Sequence, residues 1–195
     1  VNYKCHEKKF EKYLNSSKRG IKLFSNKTSV HFRYLLFNNS LIHNSIFKKI
    51  NLNKNFKYYG GEELEFSYRL DKNYPNKIIA WPSAKVSRTL YPGLKKHCLR
   101  LEEFGSLNFL LLKNNLKKEV IKFNFLIRQN NILLKITNAL FLNILLGLYS
   151  INNNNKINYY IIRGCFLASI LKGFYNASKF PDSKSSTVAS SQRSD

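Results

Sequence analysis

Apolar positions recur along this chain in two rhythms. Near the start, Phe10, Tyr13 and Leu14 stand at i, i+3 and i+4 in a strongly basic stretch. That spacing predicts a short amphipathic helix, ended by Gly20. From Leu94 the helical rhythm returns: Leu94, Cys98, Leu101, Phe104/Gly105 and Phe109 form a stripe beside His97, Arg100 and Glu103. Between them lie runs without helical spacing. Residues 31–37 are dense in aromatic and aliphatic side chains and read as a buried strand leading to Asn39. Residues 77–81 and 85–90 read as two short strands around Pro82, followed by a turn at Tyr91-Pro92-Gly93.

The last third changes character. Residues 132–149 are almost wholly apolar, broken by Lys135, Asn138 and Asn143, and residues 159–175 are similar, with Arg163 and Lys172. A polar turn, Asn152-Asn153-Asn154-Asn155-Lys156, separates them. Each arm has about 17 residues, short of the roughly 20 that a membrane span needs. Charges within both arms would cost a few kcal/mol each at a bilayer centre. A helical hairpin lying in the membrane interface fits this pattern, and the alternative is a helix pair closing the core. Residues 181–195 are Ser-rich and lack Asn, Ile, Leu and Phe, the composition of a disordered tail.

The central segment stands apart by its charge. The chain has 33 Lys+Arg against 11 Asp+Glu, yet Glu62, Glu63 and Glu65 fall within four residues, directly behind Gly60-Gly61. The glycine pair permits a turn that a ligand can approach closely, and the following residues read as a helix with Leu64 and Tyr68 on one face. Glu62 and Glu63 then occupy a first turn, where a carboxylate is favoured and can serve as a general base. The plainer reading is dipole compensation, with Glu65–Arg69 an ordinary i,i+4 pair worth a few tenths of a kcal/mol.

The segment Tyr58-Tyr59-Gly60-Gly61-Glu62-Glu63-Leu64-Glu65-Phe66-Ser67-Tyr68-Arg69-Leu70 resembles the acceptor-side motif of inverting family 2 glycosyltransferases and the related β-1,4-galactosyltransferases, which have the GT-A fold. The resemblance runs over roughly residues 30–110. It takes in Asn38-Asn39-Ser40-Leu41, Ser45-Ile46-Phe47-Lys48-Lys49-Ile50 and Lys77-Ile78-Ile79-Ala80-Trp81-Pro82-Ser83-Ala84-Lys85-Val86. It implies an α/β fold: residues 1–115 as the acceptor-side half of a GT-A-like domain, residues 116–180 as a membrane-proximal helical hairpin, then the tail. By the same resemblance Glu63 stands where a base deprotonates the acceptor hydroxyl. Glu62 stands where a Glu hydrogen-bonds the acceptor sugar, Tyr59 where an aromatic stacks on it, Gly60 and Gly61 belong to the same acceptor-binding turn, and Asn39 borders the donor site. The implied partners are a nucleotide-sugar donor and a saccharide or glycolipid acceptor in surface polysaccharide assembly. A divalent Mg or Mn ion is implied for the full enzyme, none being assigned to this chain. Glu63 replaces the family's Asp, and Ser87 replaces a metal-binding His, so a catalytically silent homologue is a further reading.

Three features complete the picture. The formal charge of +22 at pH 7 points to an anionic partner, a membrane surface or nucleic acid, although Lys-, Asn- and Ile-rich coding bias yields similar totals. A basic nucleic-acid-binding protein is therefore the alternative function, with nucleic acid the less favoured partner. Cys5, Cys98 and Cys165 are scattered and His6, His31, His43 and His97 lack ligand spacing, which predicts no zinc site, no disulfide and a reducing cytoplasm. With the setting that the resemblance implies, the expected place is cytoplasmic, peripheral to the inner face of the cell membrane. The chain has no Met and no Asp-x-Asp, so it reads as a C-terminal fragment whose nucleotide-binding half precedes it.

Overall fold

In the computed structural model, which describes residues 1–116 and 132–178, Phe10, Tyr13 and Leu14 form the buried face of helix α1 (Lys8–Leu14). The helix stops well before Gly20. Asn15 leaves it to bind the backbone of strand β1 (Asn2–Cys5): its Nδ2 donates to the Tyr3 carbonyl at 2.8 Å and the Tyr3 N–H donates to its Oδ1 at 3.0 Å. A side chain that satisfies a strand edge in this way competes with continued helix.

Residues 31–37 do not form the expected strand. The chain makes two 3₁₀ turns, Phe32–Tyr34 and Phe37–Asn39. His31 Nδ1 accepts the Arg33 N–H at 3.3 Å, which closes the first turn and points Phe32 into the core. Local capping has beaten β-propensity here, because no neighbouring strand among the described residues pairs with this run. The strands that do form are short. Parallel β1 and β4 (Ser87–Tyr91) make one pair, and antiparallel β2 (Thr28–Ser29) and β3 (Ile79–Ala80) make the other.

The described residues are mixed α/β but mostly helical, with seven α-helices. After α2 (Asn44–Lys49) and α3 (Glu62–Asn73) come α4 (Leu94–Leu107) and α5 (Phe109–Leu116), followed by the hairpin α6 (Ile132–Ile151) and α7 (Asn155–Ser178). The stripe read from Leu94 to Phe109 is broken at Asn108. Its side chain leaves the helical pattern and donates to the Tyr58 and Gly60 carbonyls at 2.7 and 2.8 Å.

Two apolar cores result. One gathers Phe66 and Leu70 of α3 with Phe109, Leu112 and Leu116 of α5. The other joins Phe10, Leu94 and Cys98 to Leu142 of α6 and Ile162, Cys165 and Ala168 of α7. Helix α7 is thus packed within protein, directly along α4. Glu102 of α4 binds Lys172 of α7 at 2.8 Å, an ion pair across the two helices. All three cysteines are free and buried. Among the described residues no helix is long and apolar enough to cross a membrane. Residues 117–131 of the segment expected as a hairpin, and the tail from 181, lie outside the described residues.

His97 sits inside the second core, against Phe10, Tyr91 and Phe166, with ring centroids 5.8, 5.7 and 4.7 Å away. Burial, helped by Arg19 and Arg100, lowers its pKa to about 4. The folded form therefore binds this proton less well than the unfolded chain, and stability falls as pH drops from about 6.5 toward 4. The slope is about 1.4 kcal/mol per pH unit. Urea denaturation at pH 7 and pH 5 is expected to show a loss of about 2 kcal/mol, and His97→Gln is expected to flatten most of it.

Candidate active site

The Gly60-Gly61 turn has its conformation imposed from both sides. Both residues have positive φ, 87° and 94°, which side chains rarely tolerate. A Cβ on Gly61 would lie 3.0 Å from the rings of both Phe56 and Phe104. The buried Asn108 amide holds the carbonyls on either side of Tyr59. The turn then hands the chain to α3, whose first turn carries all three glutamates.

The structure sorts those glutamates. Glu65 is buried and pairs with Arg69 through two contacts, 2.6 and 2.9 Å, while Arg69 also donates to the Asn51 carbonyl at 2.7 Å. That is a structural pair held in bidentate geometry, so removing one partner leaves the other charge without its counter-ion. Glu65→Gln is expected to lower stability by about 1–2 kcal/mol in urea denaturation, the partly exposed guanidinium limiting the effect.

Glu62 and Glu63 have no such bidentate pairing among the described residues. Glu62 Oε2 is buried with no hydrogen-bond partner among the described residues. Glu63 is half-buried, and burial raises its pKa above the usual carboxylate range. The Phe37 N–H and the Arg88 guanidinium oppose that rise, and the Glu62 charge adds to it. Tyr59 shares the field: burial raises its phenol, Arg100 and Arg88 lower it, and Glu63 and Glu62 raise it again. The Arg100 guanidinium lies 5.7 Å from the Tyr59 ring centroid. Tyr59, Gly60, Gly61, Glu62 and Glu63 are therefore brought together around one partly shielded carboxylate, beside two arginines.

Asn39 is not in a strand. It closes the 3₁₀ turn Phe37–Asn39 and donates from Nδ2 to the Ala84 carbonyl at 3.2 Å. That turn is a shared wall: the Phe37 N–H faces Glu63, while Asn38 and Asn39 line a cavity of about 1080 Å³. Among the described residues that line it the cavity is mainly apolar, with Arg19, Lys22 and Lys77 as cationic side chains, Trp81 present and no carboxylate. Burial and Arg19 lower the pKa of Lys22.

Sequence reasoning missed Arg88, Arg100 and Asn108 as site residues. Asn108 carried one signal, a polar residue next to the apolar stripe, whereas Arg88 reaches the site only through the β1–β4 pairing. Exposed Ser87 next to Arg88 offers no ligand set for a divalent metal, and no group of three His, Cys, Asp or Glu among the described residues is placed to hold one. Comparison of the chain with family models, curated proteins and solved structures found no match.

Proposed function

We propose that this chain forms the acceptor side of an inverting glycosyltransferase. The observation that carries the reading is Glu63: of three neighbouring glutamates, one is committed to Arg69, and Glu63 is a half-buried carboxylate of raised pKa at a glycine turn beside Tyr59. A carboxylate whose burial favours its protonated form is suited to take up a proton as a general base. The acceptor hydroxyl gives its proton to Glu63 as its oxygen bonds to C1 of a nucleotide-sugar, and the nucleoside diphosphate leaves from the opposite face. Tyr59 packs on the acceptor sugar, and Glu62 takes a hydroxyl hydrogen bond. The donor lies across the Phe37–Asn39 wall, on the side of Asn39. On this reading the acceptor is a saccharide or glycolipid, and the chain works peripherally at the inner face of the cell membrane.

The test is release of nucleoside diphosphate from a panel of nucleotide-sugars by the full-length protein, with and without saccharide acceptors. Acceptor-dependent release supports the reading. Its absence with every donor, together with tight RNA or DNA binding that weakens steeply with salt, favours the nucleic-acid alternative.

A further inference from the structure

We infer that the outward face of α6 docks on the surface of an anionic lipid bilayer. The helix has two unlike sides. Leu142 is buried, and Leu145 meets α7 where Gly164 leaves room, a Cβ there lying 3.0 Å from its Cδ1. On the other side Phe141, Ile144, Leu148 and Ile151 follow one another at helical spacing, all exposed, with Ile151 at 75% and Leu140 beside them at 67%. From residue 140 to 151 this face is about 17 Å long. Ile157 and Tyr160 in the first turns of α7, near the tip of the hairpin, are also exposed.

The charges around this face say what covers it. Residues 132–178 contain no Asp or Glu. Lys9 lies at the C-terminal end of α6, donating to the Tyr149, Ser150 and Asn152 carbonyls. Lys95 borders a small cleft with Asn143, Leu146 and Tyr149, and Lys156 and Arg163 are exposed on α7. The two acids of the nearby N-terminal segment are turned to internal donors. Glu7 accepts from the Leu94 N–H and the Tyr149 hydroxyl, and Glu11 accepts from the Cys5 N–H. An apolar strip flanked by cations matches acyl chains below anionic headgroups. A second copy is a poor occupant, because two chains of +22 repel each other. One side of α6 packs on α7 while the other stays exposed and apolar, the two-sided arrangement of a helix lying in the interface.

This specifies the surface behind the membrane setting proposed above, and it stands or falls without glycosyl transfer. The full-length protein would be centrifuged with vesicles of phosphatidylcholine, with or without phosphatidylglycerol, in the absence of any sugar. Binding is expected only to the anionic vesicles and is expected to weaken with added salt. The double variant Ile144→Asp, Leu148→Asp is expected to bind about tenfold more weakly or worse, with an unchanged far-ultraviolet circular dichroism spectrum because both side chains are exposed. Lys156→Gln with Arg163→Gln is expected to weaken binding to a lesser degree. Undiminished binding by the aspartate variant, equal binding to neutral vesicles, or no binding at all would overturn the inference. So would a concentration-dependent dimer that the aspartate variant abolishes, which would assign the face to self-association.

Discussion

Glu63→Gln is expected to reduce acceptor-dependent transfer by about a hundred- to ten-thousandfold, the usual range for a positioned general base. Glutamine keeps the size and the hydrogen bond from Phe37 but cannot take a proton. The same substitution is expected to stabilise the fold at neutral pH. Burial raises the Glu63 pKa in the folded chain above its unfolded value. Its favourable contribution is therefore complete below the unfolded pKa and is lost as pH rises through the folded one. At pH 7 the charged carboxylate is a net burden that glutamine removes, and the gain should vanish in acid. For the wild type, transfer should fall on the acid side at a higher pH than an ordinary glutamate would give. Transfer rates against pH, combined with urea denaturation at pH 7 and pH 4, read both effects. A variant that loses activity and stability together would mark Glu63 as structural, in the manner of Glu65.

Gly105→Ala and Gly173→Ala are expected to destabilise the chain by about 3 kcal/mol or more each, beyond the middle of the range for overpacking. In an exposed helix the same change gains up to about 1 kcal/mol, because alanine is the better helix former. Here α4 and α7 cross with bare backbones in contact. A Cβ on Gly105 would lie 2.1 Å from the Ile170 carbonyl oxygen, and one on Gly173 would lie 1.9 Å from that of Glu102. Backbone cannot rotate away as a side chain can, so the helices must separate. Separation would open the core around Cys98, Cys165 and Ala168 and pull Lys172 from Glu102. Gly147 of α6 is the internal control: it is exposed, a Cβ added there would meet nothing within 4 Å, and Gly147→Ala should be neutral or stabilising. Urea denaturation followed by circular dichroism separates the three. Equal, small effects at all three positions would show that the α4–α7 crossing is loose.

Much of the secondary structure was legible because it follows from local spacing. The apolar rhythm located α1, α4 and both hairpin helices, and the glycine pair with its glutamates located the start of α3. Residues 31–37 were not legible as turns, since a His31 cap and a β-prone run compete and only the presence or absence of a pairing strand decides. The candidate site divided in the same way. Spacing put three glutamates in one helical turn, but only burial and the position of Arg69 separate the structural Glu65 from Glu63.

The charge, the helical segments and the one acidic turn thus followed from residue identity and near neighbours. Tertiary contacts decided that α7 lies buried along α4 while α6 keeps an apolar face outward. They also brought Arg88, Arg100 and Asn108 to Gly60 and Glu63. Those outcomes depend on residues far apart in the chain, where two glycines permit a close crossing and one amide anchors a turn. Local periodicity carries no information about which distant surface a helix will meet.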